Sequence, residues 1–470
     1  MKKRDLEKLG LHGDQVQKTA TVIATQAKNL GIKKAQLKSD LQSVASDPAS
    51  YLNHEVYGQL AAEIEQYNQA PEGKHPARSD YELSDVKFKV WGSELVDNHT
   101  LEQMEHACLL PVSRYGALMP DAHVGYGLPI GGVLAVKDAV IPYAVGVDIA
   151  CRVMISVFDY PIKELHRNRQ PLERILERNT RFGIGSYWEK ERDHSVMDQD
   201  WSFSGRVANL KDLAWRQLGT SGSGNHFVEF GELHLQEEFR GVPKGSYTAL
   251  VSHSGSRGPG AKIANHYSRL AQSLHPRLPK KLKNLAWLDL AGEGAEYWQA
   301  MELMGEYASA NHHIIHQSIA KELSQSVLLQ VENHHNFAWK ESHFGEEVVV
   351  HRKGATPAAK GMPGYIPGTM SNPGFLVEGR GNAEALNSCA HGAGRQMSRK
   401  QARNTVTRHE MIKRLESKGV TLLSAGLDES PHAYKDIEVV MLAQSDLVNV
   451  IARFDPRIVK MAPEGEKAED

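Results

Sequence analysis

Cysteine is scarce in this chain: Cys108, Cys151 and Cys389 are the only three in 470 residues. Their spacing is unpaired, which excludes a disulfide framework and predicts a reducing compartment. No apolar run approaches the roughly 18 residues that a membrane helix needs. The opening Met1-Lys2-Lys3-Arg4-Asp5-Leu6-Glu7-Lys8 has no apolar centre of the kind a secretory signal carries. The expected location is cytoplasmic, with no membrane partner. A surplus of one charge is also missing, because 55 Lys and Arg stand against 57 Asp and Glu for a net charge of -2. That excludes coating nucleic acid by bulk attraction, though it leaves room for a local basic groove. No internal repeat or low-complexity tract occurs, so the block after residue 80 reads as one large mixed domain.

With 41% hydrophobic and 24% charged residues, the composition is that of a globular protein large enough to bury a substantial core. The unusual counts are 23 His and 40 Gly, and their placement carries the argument. Residues 1–75 read as a helical N-terminal extension of two or three short helices, from the spacing of Val16-Ala20-Ile23 and Leu37-Leu41-Val44. Gly31-Ile32 and Asp47-Pro48 mark its breaks. The Ala70–Pro76 stretch has linker composition. Residues 80–470 read as one large domain of strands and Gly-rich turns. Within it Met119–Gly132 is expected to be a long loop, and residues 161–216 and about 292–324 to be helical. The basic cluster Lys163, His166, Arg167, Arg169 and Arg174 fits a solvated helix face and an RNA contact equally well.

The chemistry is organised around Gly146-Val147-Asp148-Ile149-Ala150-Cys151. Apolar runs at 139–145 and 153–158 flank it and both read as buried strands, so a carboxylate and a thiol stand at a turn between core elements. Three other segments place a His beside Gly, Ser or Asn: Gly219–Phe227 with His226, Val251–Gly258 with His253, and Val331–Phe337 with His334 and His335. Glycines in such loops let backbone amides approach phosphates. Asp, Cys and His together make a mixed hard and soft ligand set, which fits zinc as well as manganese or iron. In Asn387–Arg399, His391 precedes Gly392-Ala393-Gly394, and Arg395 and Arg399 stand where they can neutralise phosphate. That makes His391 a candidate nucleophile.

Taken in order, Pro-Asp-Ala-His-Val-Gly-Tyr-Gly, Gly-Val-Asp-Ile-Ala-Cys, Gly-Ser-Gly-Asn-His-Phe, His-Ser-Gly-Ser-Arg-Gly, His-His-Asn-Phe, His-Arg-Lys-Gly-Ala-Thr, His-Gly-Ala-Gly-Arg and Ala-Tyr-Lys-Asp-Ile resemble the motifs of the RtcB family of RNA-splicing ligases. The resemblance covers about residues 85–463. It implies an α+β fold peculiar to that family, with mixed β-sheets and surrounding helices enclosing a metal site. It also implies a GTP- and manganese-dependent RNA ligase for RNA repair or tRNA splicing, joining a 3′-phosphate or 2′,3′-cyclic phosphate to a 5′-hydroxyl through a histidine-GMP intermediate. Carried over residue by residue, two Mn2+ ions would be held by Asp148, Cys151, His226, His253 and His335, with Cys151 bridging. His391 would be the nucleophile, and Asp121 would handle a proton near the reacting ends. Asn225, Phe227, Glu229, Arg257, Asn336, Gly392, Ala393, Gly394, Arg395, Tyr434 and Lys460 would meet the nucleotide, and Arg399 a phosphate. The expected partners are RNA with those ends and an archease-like activator, and the expected state is a monomer.

Three departures from the family pattern stand out: Arg152 after the Cys where Gly is usual, Gly374 in place of a Ser, and Asn311-His312-His313 where Asn-Arg is common. A competing reading from the same ligand set is a two-metal cyclic phosphodiesterase or phosphoesterase that acts on RNA ends without ligation. It would need the metal ligands but neither GTP nor His391.

Overall fold

The computed structural model describes residues 5–6, 9, 11, 14–29, 34–52, 54, 56–69 and 81–466. The chain divides into two compact units, Met1–Ser79 and Asp80–Asp470. In the first, helices Asp14–Asn29, Lys34–Ser46 and Gly58–Gln69 bury one apolar stripe each. Val16, Ala20, Ile23, Leu37, Leu41, Val44, Leu60 and Ile64 meet in a small core, as the helical spacing predicts. A short 3-10 turn, Pro48–Tyr51, begins at the expected Asp47-Pro48 break. The Gly31-Ile32 break and the Ala70–Pro76 linker lie outside the described residues.

The second unit is α+β, as the resemblance implies. One five-stranded sheet orders β1 (Phe88–Val90), β2 (Ser113–His123), β3 (Ile130–Val136), β11 (Glu346–Lys353) and β10 (Asn336–His343). The eight-stranded sheet orders β13 (Pro363–Ile366), β14 (Gly374–Gly379), β17 (Val448–Met461), β6 (Phe227–Leu235), β7 (Gly245–Ser254), β5 (Arg152–Phe158) and β9 (Val327–His334), with β16 (Thr421–Ser424) on β17. Two-stranded pairs join β4 (Ala139–Val140) to β8 (Leu288–Asp289) and β12 (Ala355–Pro357) to β15 (Ser388–Ala390). All seven residues of β5 are buried, which is why its sequence is apolar on both faces apart from Arg152 and Ser156, rather than alternating.

Several expectations are corrected here. Met119–Gly132 is not one long loop: β2 runs through Asp121 to His123, and β3 resumes at Ile130. The run 139–145 is a two-residue strand followed by the helical turn Pro142–Val145, because Pro142 suits a first helical turn and cannot continue a ladder. Residues 161–216 are only partly helical, with an irregular stretch from 180 to 194. The basic cluster at 163–174 does not converge. His166 pairs with Glu232, and Arg169 donates to the carbonyls of Leu165, Gly419 and Arg457.

The long helix Glu293–Leu323 packs on the eight-stranded sheet through a directional hydrogen-bond chain. Gln330 donates to Ser156 Oγ (2.8 Å), Ser156 to His316 Nδ1 (2.7 Å), His316 Nε2 to Ser252 (2.8 Å) and Ser252 to His312 Nδ1 (2.6 Å). His312 Nε2 then donates to the Ser254 carbonyl at 3.2 Å. A carbonyl can only accept, and that fixes the direction of every link. Burial pushes His316 down to about 3 and His312 well below its ordinary value, so both imidazoles stay neutral. Because their folded values lie below the unfolded value near 6.5, the stability that their neutral burial contributes is complete above about pH 6.5. It is lost as pH falls toward 3. Ser252→Ala leaves two buried ring nitrogens unpartnered, and a loss of about 2–4 kcal/mol is expected. Urea unfolding at neutral pH measures it, and an unchanged midpoint would refute the chain.

Candidate metal centre

Strand order does the gathering. β6, β7, β5 and β9 lie side by side and antiparallel, so the start of β6, the end of β7, the start of β5 and the end of β9 share one edge. Those ends carry His226, His253, Cys151 and His335. Asp148 reaches the same edge from the turn before β5. That turn needs unusual backbone: Gly146 has φ 109° and Ala150 φ 55°, the latter costing about 1 kcal/mol for a residue with a Cβ. It is held by Ala150 N–H donating to the Asn336 carbonyl (2.6 Å) and the Asn336 amide donating to the Asp148 carbonyl (3.2 Å).

Two triads result, Asp148-Cys151-His226 and Cys151-His253-His335, both buried and sharing the sulfur. Cys151 Sγ lies 3.5 Å from His226 Nε2 and 3.1 Å from His253 Nε2. His226 Nε2 is 3.0 Å from Asp148 Oδ2, and His253 Nε2 is 3.2 Å from His335 Nε2. His226 Nδ1 donates to the Ser221 carbonyl and His253 Nδ1 to the Asn225 carbonyl, each at 3.1 Å. Their Nε2 lone pairs therefore aim at a carboxylate, a sulfur and a third imidazole. Lone pairs converging in a buried space repel unless a cation sits among them, and this donor set suits a divalent metal. Burial pushes the Asp148 carboxyl up, but the neighbouring His226 and Arg257 outweigh it and hold the carboxyl below its ordinary value. Burial pushes His253 down to about 3 and His335 well below its usual range. A Cβ at Gly255 would stand 2.1 Å from the Asp148 carboxylate, so only glycine leaves room for that ligand.

His391 follows β15, with its ring centroid 4.7 Å from that of His335. Its Nδ1 faces Asp121 Oδ2 at 2.7 Å, and the same oxygen accepts from the backbone N–H of His391 (3.1 Å) and Gly392 (3.3 Å). Asp121 is fully buried. A carboxylate at Nδ1 fixes the proton there and leaves Nε2 as a free lone pair. Gly394, at φ 71°, lies so close to Asp121 that a Cβ would meet its carbonyl oxygen at 2.0 Å.

A cavity of about 150 Å³ opens beside these groups, lined by Asp148, Cys151, His253, His335 and His391 together with Asn225, Phe227, Glu229, Asn336, Gly392, Ala393, Gly394, Arg395 and Tyr434. Burial pushes the Glu229 carboxyl up to about 8. An adjoining cleft of about 590 Å³ shares Asp148, Asn336 and Arg395 and adds Lys353 and Arg399.

The model of the family described as tRNA-splicing ligase RtcB matches residues 103–215 and 205–461. The chain belongs to the RtcB family. It is similar to the RNA-splicing ligase RtcB of Escherichia coli K12, at 34% identity over 415 residues, covering 79% of this chain and 97% of that protein. It resembles the tRNA-splicing ligase RtcB of Nanoarchaeum equitans at 30% over 453 residues, with 79% and 94% coverage. The Thermococcus kodakarensis protein of the same name is 29% identical over 441 residues, with 77% and 91% coverage.

Not every residue matched to the RtcB pattern reaches the cavity. Lys460 alternates on β17 with Val459 and Met461, which line it, so its ammonium lies elsewhere, near the Glu177 carbonyl and over Phe182. Arg257 is buried beneath the Gly219–Gly224 loop, donating to Thr220 Oγ1. Arg399 pairs with Asp428 and Glu429. Glu429 lines the cavity and accepts from Tyr434 and Arg395. Sequence reasoning passed over it, and its one signal is the acidic pair Asp428-Glu429 facing two arginines. Lys353 was passed over as a residue within a motif. Its ammonium donates to the carbonyls of Tyr126 and Tyr143, and burial pushes it down to about 7.

The departures are accommodated in the packing. Arg152 is not a cation standing among the ligands: its guanidinium donates to the Gly305 carbonyl (2.9 Å) and pairs with Glu332 (3.1 Å). Asn311 accepts from Gly219 N–H and donates to the Gly255 carbonyl, tying two site loops to the long helix. At Gly374 a Cβ would meet Tyr365 Oη at 2.0 Å and Cζ at 2.5 Å. Gly374→Ser is therefore expected to cost about 1–3 kcal/mol by overpacking. Tyr365→Phe should relieve only part of that cost, since Cζ stays too close. Chemical denaturation of the two single variants and the double variant checks this, and wild-type stability in Gly374→Ser would refute it.

Proposed function

We propose that the protein is an RNA ligase dependent on GTP and manganese, sealing an RNA 3′-phosphate, or a 2′,3′-cyclic phosphate after opening, to a 5′-hydroxyl. The observation that carries this reading is the Asp121–His391 pair beside the two triads. A phosphodiesterase that only opened RNA ends would need no imidazole with a freed Nε2 at that place, so the pair favours ligation over the alternative. The names of the relatives, RNA- and tRNA-splicing ligases, point the same way.

Bound at the two triads, divalent ions would spread the negative charge of the phosphates and of the transition state. The residues do the rest. His391 Nε2 attacks the α-phosphorus of GTP, forming an N–P bond as the bond to pyrophosphate breaks. Asp121 keeps the remaining proton on Nδ1 and stabilises the charge that grows on the ring. Asp121 thus acts as a positioning residue for the nucleophile, a different role from handling the 5′-hydroxyl proton. An oxygen of the RNA 3′-phosphate next takes GMP from His391. The 5′-hydroxyl then attacks that phosphate, its proton passing to solvent, and GMP leaves as the bond between it and the 3′-phosphate breaks. Arg395 neutralises phosphate, and Glu229, ionised, accepts from the N1–H and amine of guanine.

Incubation with manganese and labelled GTP should give an acid-labile, protein-bound GMP that is absent in His391→Ala. No adduct in the wild type at adequate metal would overturn the reading. Cys151→Ala should lose metal at both triads, whereas His253→Ala should retain part of one, and equal retention in the two would refute the shared sulfur. Because guanine donors favour ionised Glu229, affinity for guanosine nucleotides should rise as pH climbs through about 8, and Glu229→Gln should flatten that dependence. Titration calorimetry across that range checks the sign.

A further inference from the structure

On the far side of the Gly219–Gly224 loop lies an open cleft of about 760 Å³ that the proposed reaction does not use. It is built by the irregular stretch between helix Gln170–Asn179 and residue 195. The guanidinium groups of Arg181 and Arg192 each lie 4.1 Å from the ring centre of Trp188. Arg216 stands 4.8 Å from the ring centre of Tyr187, a residue 51% exposed. Among the described residues, no carboxylate lies within ion-pair distance of Arg181, Arg192 or Arg216. Two like charges on one indole with no counter-ion repel each other, and burial together with Arg181 lowers the affinity of Arg192 for its proton. Glu189, Glu191 and Asp193 line the same cleft. Bulk positive charge is therefore not its distinguishing property. What it offers is a set of planar faces held in place, half-buried at Arg181 and Arg192 and exposed at Tyr187 and Arg216.

The cleft is tied to the metal centre. Trp188 Nε1 donates to the Gly219 carbonyl (3.0 Å), Ser221 N–H to the Arg181 carbonyl (2.8 Å) and Gly183 N–H to the Gly222 carbonyl (2.8 Å). Ser221 in turn accepts from His226. Trp215 Nε1 donates to the Arg192 carbonyl and fixes the other end of the stretch. Planar cations and aromatic rings next to a phosphate-handling site suit unpaired nucleobases, which stack on either kind of face.

We infer that the Tyr187–Arg192 cleft, with Arg181 and Arg216, binds single-stranded RNA by base stacking at a distance from the reacting end. This inference rests on the RNA ligase reading. Anisotropy of labelled RNAs bound to the manganese-loaded protein tests it, using single strands of about 4 and about 16 nucleotides with 3′-phosphate ends. Tyr187→Ala, Arg192→Ala and Arg216→Ala avoid Trp188, whose indole supports the metal loop, and metal content with thermal melting verifies each fold. Each variant should bind the longer RNA at least about fivefold more weakly while the shorter changes less than about twofold. A longer RNA lacking bases along its body should bind the wild type as weakly as the intact RNA binds the variants. Equal binding of the longer RNA by wild type and variants would overturn the cleft as an RNA site, and tight binding of the abasic strand would overturn stacking. Wild-type protein that bound neither length would sink the ligase reading itself, a result separable from the other two.

Discussion

The edge shared by β6, β7, β5 and β9 is the constraint from which the site follows. Their antiparallel register sets His226, His253, Cys151 and His335 on neighbouring strand ends, with Asp148 added from the turn before β5. A one-residue slip would turn each of those side chains to the opposite face. The continuous burial of β5, the His–Ser chain to the long helix and the Asn311 contacts to the Gly219 and Gly255 loops all hold that register. Scaffold and site are the same set of interactions seen from two sides.

Charge placement completes the arrangement. Carbonyls take the outer N–H groups of two imidazoles, so lone pairs point inward, and the Asp121 carboxylate does the same for His391 from the other sheet. Rigid partners fix each tautomer before any ligand arrives, which reduces the reorganisation a reaction must drive. Glu229 is the counter-example, since burial pushes its carboxyl up to about 8.

Much of this was legible in the sequence because the ligands sit in short motifs whose residue types are chemically unusual. The helical spacing of Val16, Ala20 and Ile23 and the span of the long helix were equally plain, since period and length carry them. What stayed hidden depended on tertiary partners. Nothing local shows that β2 continues through Pro120 and Asp121, because the Gly-rich run after it has the composition of a loop. Alternation on β17 decides that Lys460 faces away from the cavity, and only its ladder shows which parity applies. The place of Arg152 needed Gly305 and Glu332, both more than 150 positions distant (305 − 152 = 153 for the nearer). Glu429 needed two arginines brought beside it by folding.

The order in which the ligands occur along the chain has a biosynthetic consequence. Asp148, Cys151 and His226 are all made before His253, and the second triad is complete only at His335. His391 comes later still, 270 positions after the Asp121 that orients it. A ribosome-bound intermediate can thus hold the Asp148-Cys151-His226 triad while lacking both the second triad and His391. With so many distant partners, closure of the whole must await late, non-local pairing of strands. An incomplete polypeptide in this way lacks the second triad and the Asp121–His391 pair, and the full arrangement forms only late in synthesis.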